Sequence, residues 1–295
     1  MDQQTRIGKV KAIASFGDAF GVILQQNSRP YPARDSDWLQ ALQFYLHGYA
    51  YERQGRSPEY SAAAVEAVGQ AVGTGLTNPD SGFPQRAWDA FLQILRLSPD
   101  GKGANPGNNP LFPREGAGKE AATSLILRLD DFDYNLIKTV LALLKGGAVR
   151  PAHTFLCQIR GTGSKINSLF LRDIVLIYNL SIAQDDPLLQ PVDIWIRRLI
   201  RLLMDVPADV PKDQKDSYSN DAKIAETLIY LSEQASVSPL KLNQGAWYLG
   251  SQIAGTKSRL ARYVEGRLSL SEAVSKKVSL LQDEIKALQS LLAQS

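Results

Sequence analysis

A single cysteine, Cys157, and two histidines, His47 and His153, are all that 295 residues offer in the way of soft or imidazole ligands. One thiol excludes an internal disulfide and any cluster held by four cysteines, so an iron–sulfur centre has no ligand set. Zinc is short of ligands too, since its sites draw mainly on Cys and His. No apolar run reaches membrane-spanning length, and the polar start Met1-Asp2-Gln3-Gln4 is no secretory signal, which points to a cytoplasmic protein without a membrane partner. Charge of one sign is scarce as well: the net charge is +3. That balance permits a nucleic-acid partner without arguing for one, because local distribution decides. Strand-like alternation persists nowhere. What remains is helical periodicity, and the expected fold class is all-α.

Several segments carry that periodicity. Asp35-Ser36-Asp37 precedes Trp38, Leu39, Leu42, Tyr45, Leu46, Tyr49 and Ala50 at helical spacing, an N-cap followed by an aromatic stripe of core type. An alanine-rich helix follows Pro58-Glu59-Tyr60, and another runs from Phe83 to Leu97 with Trp88, Phe91, Leu92 and Leu95. The pattern then collapses from Ser98 to Gly118, dense in Gly, Pro and Asn. A loop that long is either mobile or functional, and its Lys102, Arg114 and Lys119 are candidates for touching DNA or for plain exposure. Helical character resumes from Glu120 through Leu127, from Tyr134 to Leu144, from Ser219 to Gln234 and from Pro239 to Ala254. Lys257, Arg259, Arg262 and Arg267 form a cationic stretch, a solvated helix face or a backbone-contacting patch. Finally, Leu270, Val274, Val278, Leu281, Ile285, Leu288 and Leu292 are spaced in threes and fours. That heptad pattern suits one helix laid against the body, with a weak dimer seam as the alternative.

The chemistry concentrates in the middle. An apolar helix from Pro151 to Ile159 stops at Gly161-Thr162-Gly163, and a second restarts with Ser164 as N-cap and Lys165 in its first turn. Two glycines let the backbone turn sharply and approach a ligand, so the turn and the following helix start can hold a phosphate. This is a helix-hairpin-helix. Lys165 is a cation at a helix start, against the macrodipole, and is either a solvated lysine or a residue kept for chemistry. Asp193, after Pro191-Val192, opens an amphipathic helix with Ile196, Leu199, Ile200 and Leu203; alone it is an ordinary N-cap. Cys157 lies among Phe155, Leu156 and Ile159, which favours a buried structural thiol, while His153 one turn earlier makes a cysteine–histidine nucleophile the other reading.

Together, the G-x-G-x-K hairpin and the P-V-D helix start resemble the helix-hairpin-helix DNA glycosylases, whose members carry a lysine just after the hairpin and an aspartate about one helix and one loop later. Here Asp193 follows Lys165 by 28 residues, a long gap similar to that of the archaeal GO glycosylase (8-oxoguanine DNA glycosylase) branch. Ser238-Pro239-Leu240-Lys241-Leu242-Asn243-Gln244-Gly245-Ala246-Trp247-Tyr248-Leu249-Gly250 is similar to that branch's P-L-x-L-D-x-x-x-W-x-x-G segment. The likeness covers roughly 152 to 254. Asn243 stands where the branch has an acidic residue, and Leu169 where it has an aromatic.

The resemblance implies a two-lobed fold with the active site in the interlobe cleft. Residues 1–52 and 191–295 would form the terminal lobe, including a heptad-patterned helix 270–293, and 53–190 the central lobe with the hairpin 151–181. It implies excision of a damaged or modified base flipped from double-stranded DNA, 8-oxoguanine by family default, with Lys165 forming a Schiff base and Asp193 assisting; β-elimination then nicks the strand. Trp247, Asn243 and Tyr60 would line the base pocket. Gly161, Thr162, Gly163 and Ser164 would hold DNA phosphates, with a monovalent cation shared by hairpin carbonyls as an option. Several members of the superfamily carry an iron–sulfur cluster, which this chain cannot. The expected state is a monomer needing no other cofactor. Competing readings are excision of a bulky modified cytosine of phage DNA, as antiviral defence, a non-catalytic DNA-binding protein, and an interaction protein assembling through the heptads.

Overall fold

A computed structural model describes residues 1–51, 58–72, 79–98, 102–114, 125–130, 133–205 and 218–292. Among them every regular element is helical, so the chain is all-α. Lys119 and the start of the helix expected from Glu120 lie outside the described residues; Leu125–Arg128 is a single 3₁₀ turn. No helix of the described residues is long and apolar enough to cross a membrane.

The chain divides into two compact units, one made of 1–21 with 192–295 and the other of 22–191. The first boundary falls within helix α1 (Gln3–Ser28), because α2 (Trp38–Tyr45) and the π-helical turn Leu46–Ala50 after it pack with the central elements α3 (Pro58–Ala71), α5 (Leu136–Leu144) and α7 (Ser164–Ile177). The central unit is completed by α4 (Phe83–Ile94), whose main neighbour is α3, and α6 (Val149–Leu156). Asp37 caps α2 through the Leu39 and Gln40 N–H groups, as its position before the aromatic stripe predicts. On α7, the carboxylate of Asp173 pairs with Arg172 at 2.8 Å and accepts from the Tyr49 hydroxyl at 3.2 Å, all three buried. A buried charge survives only when paired and hydrogen-bonded, and here the Tyr49 bond to that pair ties the π-helical turn to α7.

The terminal unit packs the first part of α1 with α8 (Ile194–Leu203), α9 (Tyr218–Gln234), α10 (Pro239–Tyr248), the π-helical turn Leu249–Ala254 and α11 (Lys257–Val264) around one core. Ile13, Leu199, Leu228, Leu242, Leu249 and Leu260 are among its buried side chains. Arg197 and Asp221, 2.6 Å apart, link α8 to α9. The segment 6–26 gives only a mixed apolar pattern in sequence, yet α1 is a continuous helix. Its crossing with α10 is as close as backbones allow: a Cβ on Gly245 would fall on the Ile13 carbonyl oxygen, and one on Gly17 would sit 2.6 Å from the Lys241 carbonyl oxygen.

The last helix, α12 (Leu270–Leu292), departs from the expectation of a helix laid against the body. Leu270 and Ala273 pack on the terminal core, but Val278, Leu280, Leu281 and Ile285 are exposed. Heptad spacing sets which residues share a stripe, not whether the fold supplies a surface to cover it.

Replacing Gly245 with Ala forces α1 and α10 apart at backbone level, where no side chain can yield. Gly245→Ala is expected to lower stability by about 3 kcal/mol, the upper end of overpacking costs, as read by urea unfolding. Gly8→Ala, with open space around the glycine, is the matched control and should not be destabilising.

Candidate active site

The hairpin is built by α6 and α7 of the central unit. Gly161 takes φ +78°, a left-handed conformation open to glycine at little cost, and this reverses the chain after Ile159. The Thr162 hydroxyl donates to the Ile159 carbonyl at 2.9 Å, closing the turn from inside. Ser164 is not the N-cap expected from its residue type. Gly163 occupies that position without a side-chain cap, and the Ser164 hydroxyl instead lies 3.2 Å from His153 Nε2. The reason is competition: the buried imidazole needs a partner, and its Nε2 also lies 3.3 Å from the Ser164 carbonyl oxygen. No serine or threonine oxygen therefore occupies the cap of α7, whose first N–H groups have no acceptor within the helix. Lys165 stands half-buried in that first turn.

Cys157 corrects a second expectation, for it is exposed rather than buried. Its Sγ is 3.7 Å from His153 Nδ1 and accepts from the Asn167 amide at 3.2 Å. A proton on Nε2 would be donated to the Ser164 carbonyl and leave Nδ1 as the acceptor facing the thiol, whereas a proton on Nδ1 would leave Nε2 to accept from the Ser164 hydroxyl. Burial pushes the His153 pKa down from the ordinary histidine value, the Ser164 carbonyl opposing the shift.

Asp193 lies in the terminal unit as the N-cap of α8. Its Oδ1 accepts from the Trp195 and Ile196 N–H groups, each at 2.8 Å, and among the described residues Oδ2 has no hydrogen-bond partner. The helix start is fixed from behind by Trp195: a Cβ on Gly250 would meet the Trp195 indole at 2.7 Å, so that glycine is the floor on which the indole rests. In this way the W-x-x-G end of the third motif supports the P-V-D start of the second. Asn243 and Trp247 share α10. Asn243 is fully enclosed, whereas Trp247 is partly buried and meets the Phe20 ring edge-on at 5.4 Å.

Tyr60 lies in an aromatic cluster of the central unit. Its ring packs on Tyr51 and Phe91, and its hydroxyl donates to the Gly103 carbonyl at 2.9 Å. It anchors the loop that follows α4. That loop is knitted around buried Asn109, whose Oδ1 accepts from the Tyr51 hydroxyl and the Leu111 N–H. Of the cationic stretch, Lys257, Arg259 and Arg262 are exposed on and around α11, while Arg267 pairs with Glu265. Sequence reasoning passed over Arg160, buried beside the hairpin glycine; the signal was a cation at the turn itself. No group of three or more potential metal ligands occurs among the described residues.

No protein-family model matches the chain, and no solved structure matches it. An uncharacterized protein of Methanocaldococcus jannaschii, MJECL21, is 27% identical over 188 residues, 59% of this chain and 43% of that protein. The chain thus spans less than half the length of this relative, which carries no activity in its name.

Two predictions separate structure from chemistry here. Asp193→Ala removes the cap of α8 and should cost about 1 kcal/mol, whereas Asp193→Asn keeps a capping oxygen and should leave urea unfolding nearly unchanged. His153 has a folded pKa below its unfolded value, so its contribution is present above the unfolded value of about 6.5 and is lost as pH falls through the folded one. Stability followed from pH 7 toward pH 5 is therefore expected to decline less steeply in His153→Gln than in the unmodified protein.

Proposed function

We propose that the protein is a DNA N-glycosylase with associated lyase activity, acting on duplex DNA that contains a modified base. The observation that carries the reading is the combination at the hairpin: a left-handed Gly161, a helix start without a side-chain cap, and a lysine in its first turn. Phosphate binding alone needs no lysine there, since backbone N–H groups suffice. Asp193 adds a carboxylate with one oxygen committed to its helix and the other unpartnered among the described residues.

In this reading the hairpin holds the backbone beside an extruded nucleotide, because the glycosidic bond is out of reach within the stack. The neutral Lys165 amine adds to C1′ as the bond from C1′ to the base breaks, and the base departs with the electron pair. Asp193 stabilises the oxocarbenium character of the sugar through its negative charge and accepts a proton from the attacking nitrogen. Opening of the sugar ring yields the Schiff base, and β-elimination of the 3′ phosphate cuts the strand. Trp247 and Asn243 serve the base pocket, and Asn243 in place of an acidic residue leaves base choice to be read by experiment.

Borohydride trapping on duplexes bearing 8-oxoguanine or a bulky modified cytosine tests the proposal. A covalent adduct is expected with one of these, absent in Lys165→Gln and reduced at least about 100-fold in rate in Asp193→Asn, the scale of a lost acid–base group. Base release that survives Lys165→Gln would leave a hydrolase without the Schiff base. Tight duplex binding with neither adduct nor base release on any duplex would leave a DNA-binding protein only.

A further inference from the structure

The loop after α4 and the hairpin turn converge on one aromatic ring. The Arg160 guanidinium lies 5.6 Å from the Phe112 ring centroid and the Arg114 guanidinium 5.5 Å from it. Phe112 is itself held edge-on by Trp88 of α4 at 5.1 Å, and Arg114 is brought back to it by a tight turn in which its N–H donates to the Phe112 carbonyl at 2.8 Å. Among the described residues no carboxylate and no hydrogen-bond acceptor pairs with either guanidinium. Arg114 is exposed, and Arg160 is held among packed neighbours at 7% exposure.

Burial pushes the Arg160 pKa down. A guanidinium starts so high that it stays charged at neutral pH regardless. The ring attracts each cation through its quadrupole, but it cannot supply the in-plane acceptors that the fork of N–H donors requires. Two like charges on one ring also repel. An oxyanion beside them supplies those acceptors and offsets the like charge, and the phosphodiester is the oxyanion whose geometry a guanidinium matches in two-pronged fashion. The aromatic ring is already occupied by cations and by Trp88, so it is a mount for the guanidiniums rather than a platform for a base.

We propose that Arg160 and Arg114, mounted on Phe112, form a phosphate fork that binds the nucleic-acid backbone next to the Gly161 turn. The proposal rests on the DNA reading above and extends it: backbone grip comes from side chains of the loop 102–114 as well as from the hairpin amides. Arg160 has the role of an anchor held ready by packing, and Arg114 that of an exposed arm.

The test is binding of a short fluorescein-labelled duplex carrying a tetrahydrofuran abasic-site analogue, followed by anisotropy over a series of KCl concentrations. Arg114→Gln and Arg160→Gln are each expected to weaken binding about threefold or more, and the double variant to lower the slope of log K against log salt by about one, the mark of one phosphate left unneutralised. Arg160→Lys keeps charge but not the fork and should weaken binding as well. Arg114 is exposed, so Arg114→Gln reports even if the buried substitution fails to fold. Unchanged affinity and slope in Arg114→Gln and in a folded double variant would overturn the fork; if the unmodified protein still binds and traps DNA, the glycosylase reading stands without it. An unmodified protein that does not bind the duplex at all brings down both. Release of the duplex by inorganic phosphate well beyond chloride of equal ionic strength would reassign the fork to a free anion and overturn the backbone assignment.

Discussion

At Gly161 the main chain turns left-handed, and most of what is chemically distinctive in the central unit hangs from that turn. It ends one helix and starts another within a few residues, leaving the beginning of α7 without a side-chain cap. A Cβ at this position would strain the reversal, and the Thr162 hydroxyl secures it by bonding inward to the Ile159 carbonyl rather than outward. Once the turn is set, His153 faces Ser164, Asn167 faces Cys157, Arg160 is pressed against Phe112, and Lys165 rides on the first turn of the new helix.

The terminal unit uses a different device, the absence of side chains where backbones or an indole must come close. Gly17 and Gly245 let α1 and α10 meet main chain to main chain, and Gly250 receives the face of Trp195. Contact of this kind sets helix position more tightly than interdigitating side chains, which can change rotamer to yield. Asp193 benefits directly, since the helix it caps is pinned two residues further on. A carboxylate whose one oxygen is bonded to two backbone N–H groups has little freedom to rotate, and the direction of its second oxygen follows.

Much of this was legible in the sequence because it is local. Asp37 and Asp193 announce helix starts by residue type and position, and their side chains accept N–H groups of the first turn. The hairpin glycines mark their own turn. What was not legible depends on neighbours distant in sequence. Ser164 has the right residue type for a cap, yet its hydroxyl is drawn to a histidine eleven residues earlier. Cys157 has apolar neighbours in sequence, but the helix ends around it and leaves it outside. The stripe on α12 looks like packing, but among the described residues nothing beyond Ala273 receives it. The significance of Arg160 required Phe112, 48 residues away.

The exposed Cys157 sulfur sits in contact with Asn167, a residue of the same helical start as Lys165. An adduct on that sulfur would alter the acceptor that the Asn167 amide bonds in the opening turn of α7. The chain's one thiol is therefore an exposed group in touch with the helix start that carries Lys165, and a thiol reagent can address that contact without any change of sequence.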